Sequence, residues 1–266
     1  MRAILNKVST KKRDTMLMGT GDSLSGSVLL GSRITLNWTN DTPRFFLNCV
    51  TFRPRLGPGY DPLPQNRSAE DCFFVGAKMN YNITQIGEGL LEWRRIVFTS
   101  TRRFPEGELV GNPNSGFMFQ GQYRSFDLDT YPWLERMFQG SHGLDWNTDQ
   151  VMAAKLDRRE FKFYEDKRRT LKMRGLDNNQ TVHRRWNGFN KTIRYADEER
   201  GTLLANPQDD TDEMNETEGT YSNPWSVYSE NGGLSNVYVM DIFKRPILDD
   251  SEITVGITGT VYWHER

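Results

Sequence analysis

The residues best placed to do chemistry in this sequence are cations lying beside aromatics. In the run Glu160-Phe161-Lys162-Phe163-Tyr164-Glu165-Asp166-Lys167-Arg168-Arg169-Thr170-Leu171-Lys172, residues Phe161, Phe163 and Leu171 share one parity, while Lys162, Arg168, Lys172 and Arg174 share the other. A strand alternates its side chains between two faces, so this run would bury its aromatics and hold a row of cations opposite them. Lys167 and Arg169 add to the charge, and His183-Arg184-Arg185-Trp186 again mixes cations with an aromatic. Near the start, Lys7, Lys11, Lys12 and Arg13 form a third basic group. Cations meet phosphates and aromatic rings stack on unpaired bases, which is how single-stranded nucleic acid is held. The competing account is a set of surface ion pairs joining these cations to Asp157, Glu160, Glu165 and Asp166.

Other chemistries find little support. The three histidines, His142, His183 and His264, are far apart, and only His142 with Asp145 and Asp149 suggests a metal; a loop histidine is the favoured account. There is no G-x-S-x-G elbow, P-loop or G-x-G-x-x-G. The acids between 209 and 218 lack the order of a calcium loop. Glu92 beside Trp93 and Glu265 after Trp263 are the carboxylates that would line a sugar groove, but nothing in the sequence brings them together. Cys49 and Cys72 are too few for a disulfide framework or a zinc finger, so both are expected as buried thiols in a reducing compartment. No cofactor and no metal are expected. Asn-x-Ser/Thr matches at Asn82 and Asn190 are read as chance, because the opening residues lack an apolar signal core. No apolar run approaches the roughly 18 residues of a membrane helix, and no membrane partner is expected.

The elements that must position these residues follow from length and pattern. At 266 residues the chain suits one domain with long loops. Its net charge of −1 conceals a division: residues 206–266 sum to −9 and residues 1–205 to +8, so a basic surface for polyanions is compatible with a near-neutral total. Period-two alternation marks strands at Ile34-Leu36-Trp38, at Phe73 to Ile83, and at Ile253 to Trp263. Segments 45–53, 91–100, 117–124, 160–173, 189–195 and 236–243 read as further strands. Val237 to Phe243 is apolar on both parities except at Asp241, which predicts burial on both faces. Two short helices are expected, one over Pro132 to Gln139 with Gly140 just past its end, and one capped by Thr148 and running to Lys155.

Many strands joined by long, uneven connections predict an all-β protein, a single jelly-roll sandwich of eight strands in two sheets. Residues 1–18 are read as a basic segment with the first strand, and 19–266 as the jelly-roll domain. Tyr131, Trp133, Phe138, Tyr221 and Trp225 lie in long connections and are candidates for contacts between subunits or for packing over the subunit's own sandwich. A monomeric nucleic-acid binder and a carbohydrate-active or carbohydrate-binding β-sandwich are the other functional readings.

At these residues the sequence resembles the capsid proteins of small circular single-stranded-DNA viruses, the genomovirus and gemycircularvirus group, and more distantly geminivirus coat proteins. The resemblance is carried by six stretches in order. They are Ile4-Leu5-Asn6-Lys7 with Lys11 to Leu17, then Trp93-Arg94-Arg95-Ile96-Val97-Phe98, then Leu144-Asp145-Trp146 followed by Lys155 to Arg159. Next come Tyr164 to Leu171, Asn190 to Tyr195 with Asp197 to Gly201, and the closing Tyr262-Trp263-His264-Glu265. The resemblance implies a jelly-roll subunit, no enzymatic activity, and self-assembly into a sixty-subunit, T=1-like icosahedral shell around circular single-stranded DNA. It places the protein in the virion and, during assembly, in the host nucleus. Members of the family carry a long Arg-rich arm; here five basic residues precede Asp14, so either the arm is trimmed or packaging falls to the globular domain.

Overall fold

A computed structural model describes residues 9–17, 19–21, 28–30, 34–36, 43–53, 67–86, 89–101, 122–124, 135–147, 150–159, 161–173, 179–195, 226, 234–245 and 252–265. The strands are β1 (Thr10–Leu17), β2 (Gly19–Gly21), β3 (Val28–Leu30), β4 (Ile34–Leu36), β5 (Arg44–Cys49), β6 (Asp71–Ile86), β7 (Gly89–Ser100), β8 (Gln122–Arg124), β9 (Lys162–Met173), β10 (Asn179–Arg194), β11 (Asn236–Lys244) and β12 (Glu252–Glu265). They form two antiparallel sheets of four strands, ordered β1-β12-β6-β10 and β5-β11-β7-β9. β4 pairs with β12 as well, and β3-β2-β8 make a small third sheet. The all-β expectation holds.

The two main sheets face each other across an apolar layer. Phe74, Tyr81, Val255 and Trp263 from the first sheet meet Phe46, Trp93, Val239 and Phe243 from the second. Phe74 stacks on Trp263 with ring centroids 6.2 Å apart, and Trp93 stacks on Phe243 at 5.9 Å. The expected alternation along β12 is realised, since Ile253, Val255, Ile257, Val261 and Trp263 are all buried.

The second sheet is also covered on its far face. There Phe45, Leu47, Ile96, Phe98, Tyr238, Met240 and Ile242 pack against Met137, Phe138, Trp146 and Val151 from the connection between β8 and β9. Burying a side chain of this size contributes roughly 1.5–3 kcal/mol, which is why that connection lies down on the sheet. Val237 to Phe243 is therefore buried on both faces, as its composition predicts. Cys49 and Cys72 are buried free thiols.

Three local expectations are corrected. A 3₁₀ turn, Glu135–Met137, stands where the first helix is expected. Gly140 does follow it, with φ +87°, and the Asp145 side chain occupies the space a Cβ would need there. Residues 151–153 form turns rather than a helix reaching Lys155. Asn147 Oδ1 accepts from the Gln150 N–H at 2.9 Å in that turn, and Thr148 lies outside the described residues. On β6 the inward residues are Cys72 and Phe74 and then Ala77, Met79, Tyr81 and Ile83, so the parity assigned to Phe73 and Val75 is reversed. An irregularity in the pairing with β12 between Tyr262 and Trp263 absorbs the extra residue.

Two buried carboxylates organise the polar groups inside the sandwich. Asp241 accepts from the Tyr81 hydroxyl at 2.9 Å and from Trp93 Nε1 at 2.8 Å. At one end of the first sheet, Glu265 takes Lys12 Nζ at 2.8 Å and Trp263 Nε1 at 2.7 Å, and it also binds Ser68. Burial pushes the Glu265 carboxyl up, but the hydrogen bonds from Lys12, Ser68 and Trp263 outweigh it and hold it below the usual carboxylate range.

Asp241→Ala leaves two buried donors without their acceptor, at about 1–3 kcal/mol each. Urea unfolding is expected to show a loss of that order, and a change under ~1 kcal/mol would remove Asp241 from this role. The Glu265 network stabilises fully above its unfolded value near 4.5 and is lost as pH falls through the lower folded value. Glu265→Gln is expected to flatten that part of the stability–pH curve, measured by urea unfolding at stepped pH.

Candidate nucleic-acid interface

The outer face of the first sheet gathers part of the predicted basic set. Pairing fixes which side chains share it. Lys11 lies opposite His264, Arg13 opposite Tyr262, Lys78 opposite Thr260 and Trp186, and Arg184 opposite Asn80. Lys11, Arg13 and Arg184 are exposed, and Trp186 is 52% exposed. The inward neighbours Lys12 and Trp263 belong to the other face.

Trp186 lies against the sheet because Gly76 leaves room for it. A Cβ at Gly76 would stand 2.5 Å from both Trp186 Cζ2 and the Asn187 carbonyl oxygen. The indole also meets Tyr262, with ring centroids 5.6 Å apart. Asn80 and Thr258 add an amide and a hydroxyl, joined at 3.4 Å. A sheet face bearing aromatics, cations and uncharged hydrogen-bonding groups can stack bases and hold phosphates without reading sequence.

The remaining candidates separate. Lys12 turns inward to Glu265. β9 has a register shift at Val97/Phe98, where Val97 pairs with Glu165 and Phe98 with Phe163. The extra residue, Tyr164, switches the parity of everything after it. Phe163 consequently packs on the far face of the second sheet while Leu171 packs against the inter-sheet core. The single row of cations expected on β9 is thereby corrected to two faces. Arg168 shares the far face with Arg94, which binds Asp166 at 2.9 Å through Nε. Lys167 lies 3.7 Å from Glu165.

Arg169 and Arg185 instead face the gap between the sheets, at the level of Trp93 and Met79. Burial first, and then the charge of Arg169, hold the Arg185 guanidinium below its ordinary value. Burial, then Arg169 and Arg185, lower His183 as well. Lys162 enters a cleft with Lys191. Lys7, Trp38, Tyr131, Trp133, Tyr221 and Trp225 lie outside the described residues. Phe138 is 1% exposed and packs on Trp146 with centroids 4.8 Å apart, so it serves its own subunit's core rather than a contact between subunits.

Sequence reasoning missed Lys78, Tyr262 and Lys191 as site residues. Lys78 and Tyr262 sit on the water-facing parities of β6 and β12, a signal that was present but shared with every polar strand face. The carboxylates Glu92 and Glu265 do not form a pair. Trp93, next to Glu92, meets Tyr81, whereas Glu265 pairs with Cys72 at the other end of β6. Strand rise puts roughly 30 Å between those levels, beyond the ~10 Å of a glycosidase pair. Among the described residues no three His, Cys, Asp or Glu side chains cluster as a metal site, and no helix is long and apolar enough to cross a membrane.

No family model and no curated protein matches this chain.

Trp186→Ala is expected to weaken binding of an oligodeoxythymidylate by about 1–3 kcal/mol, with little change in unfolding. Arg184→Gln is expected to lower the salt slope of that binding by roughly 0.7. Anisotropy titrations at several salt concentrations check both, and unchanged curves would remove this face from the interface.

Proposed function

We propose that this chain is a jelly-roll capsid subunit, similar to those of small circular single-stranded-DNA viruses, that assembles into an icosahedral shell. The observation that supports this reading most is the strand order. Taking the eight long strands in chain sequence as β1, β5, β6, β7, β9, β10, β11 and β12, the two sheets run first-eighth-third-sixth and second-seventh-fourth-fifth. Eight strands crossing repeatedly between two sheets in that order support the jelly-roll reading.

In this reading the outer face of the first sheet lines the shell and meets the genome through Lys11, Arg13, Lys78, Arg184 and Trp186. The role is structural rather than enzymatic, and its sites are the virion and, during assembly, the host nucleus. Sequence-neutral contacts suit a container, which must accept every stretch of its DNA. A solitary single-strand binder would use the same face, so mass is the deciding quantity.

Negative-stain imaging and sedimentation of the purified chain are expected to show closed particles far heavier than 30.9 kDa. A species that stays near the chain mass across protein and salt concentrations would overturn the shell.

A further inference from the structure

A second basic feature lies away from the outer face, where β9 and β10 close one side of the sandwich. A cleft of about 170 Å³ there is lined by Lys162 and Lys191 together with Thr99, Ser100, Thr101 and Ser235. We propose that this cleft is a phosphate-group site, with the two ammonium groups supplying charge and the hydroxyls supplying directed hydrogen bonds.

The composition of the lining argues for an anion. Among the described residues it holds two cations and several hydroxyls, and no carboxylate. Two like charges sharing one cleft repel unless a counter-charge enters. Burial first, and then the charge of Lys162, hold the Lys191 ammonium below the usual lysine range. Lys162 is further placed by the Tyr164 ring, whose centroid lies 5.9 Å from its Nζ.

The backbone builds the cleft rather than leaving it to chance. The extra residue Tyr164 on β9 puts Lys162 on the opposite face from Arg168 and Lys172. On β10, a second register shift between Gly188 and Lys191 is accommodated by Asn190 at φ 49°, a conformation Asn tolerates better than most residues. The floor is closed by Leu234, whose N–H donates to the Thr192 carbonyl at 2.9 Å. Thr99 and Ser100 are each 6% exposed, and the Thr99 hydroxyl donates to the Lys162 carbonyl at 3.5 Å, which ties β7 to β9 along this wall of the cleft.

A phosphate group reaches such a site either as a free anion or nucleotide, or as a link in a DNA strand. The site stands whether or not subunits assemble. The test is calorimetric titration of the full chain at low salt with inorganic phosphate, deoxythymidine monophosphate and an oligodeoxythymidylate. Inorganic phosphate is expected to bind, and Lys191→Met to weaken it at least tenfold. Lys162→Gln, at an exposed position, keeps the test available if the first variant fails to fold. Lys155→Gln, an exposed cation on the connection between β8 and β9, is expected to leave phosphate binding unchanged. Displacement of phosphate by the oligonucleotide assigns the site to the strand; displacement by the mononucleotide alone assigns it to free phosphates. Absence of phosphate binding, or binding indifferent to both lysine substitutions, overturns the proposal.

Discussion

The fold depends on one constraint: strands β5, β11 and β7, the inner part of the second sheet, are buried on both faces. A sheet buried twice has little water to satisfy side-chain polar groups, so a polar side chain there is costly unless it is paired inside. Asp241 answers this on the inner face by joining Tyr81 and Trp93. Arg94 answers it on the outer face through Asp166. With those three strands sealed, the outer face of the first sheet presents a broad strand surface to solvent.

The same constraint changes how the charge should be counted. Arg53, Arg67, Arg94, Arg95 and Arg245 are each at most 2% exposed. The Arg67 guanidinium lies 4.0 Å from the Tyr195 ring centroid, and that of Arg53 lies 5.6 Å from the Trp263 ring. These guanidinium groups hold the interior together and cannot meet a polyanion. The positive surface is built from fewer residues than the composition offers, which makes the placement of each remaining cation matter more.

Much of the architecture was legible because strands bury alternate residues. β11 announced its double burial through apolar residues on both parities, and β12 its single burial through strict alternation. The site was less legible for a definite physical reason. Parity assigns faces only while pairing is regular, and one extra residue at Tyr164 put Arg168 on the face of Phe163 and away from Lys162, with which the count had grouped it. Bulges leave little trace in composition. Nor does alternation reveal that Lys12 is claimed by Glu265, a partner at the far end of the chain.

One edge of β12 is shared by two separate strands. β1 covers Thr258 to Glu265 and β4 covers Ile253 to Val255. The chain leaves this line after Leu17 and rejoins it at Ile34, having formed β2 and β3 on the way. Every register pair on β12 is made outside that detour. A foreign peptide grafted between β2 and β3 would therefore lengthen the excursion without shifting the β12 ladder, which makes that detour a place where the chain can grow while its main sheet stays paired.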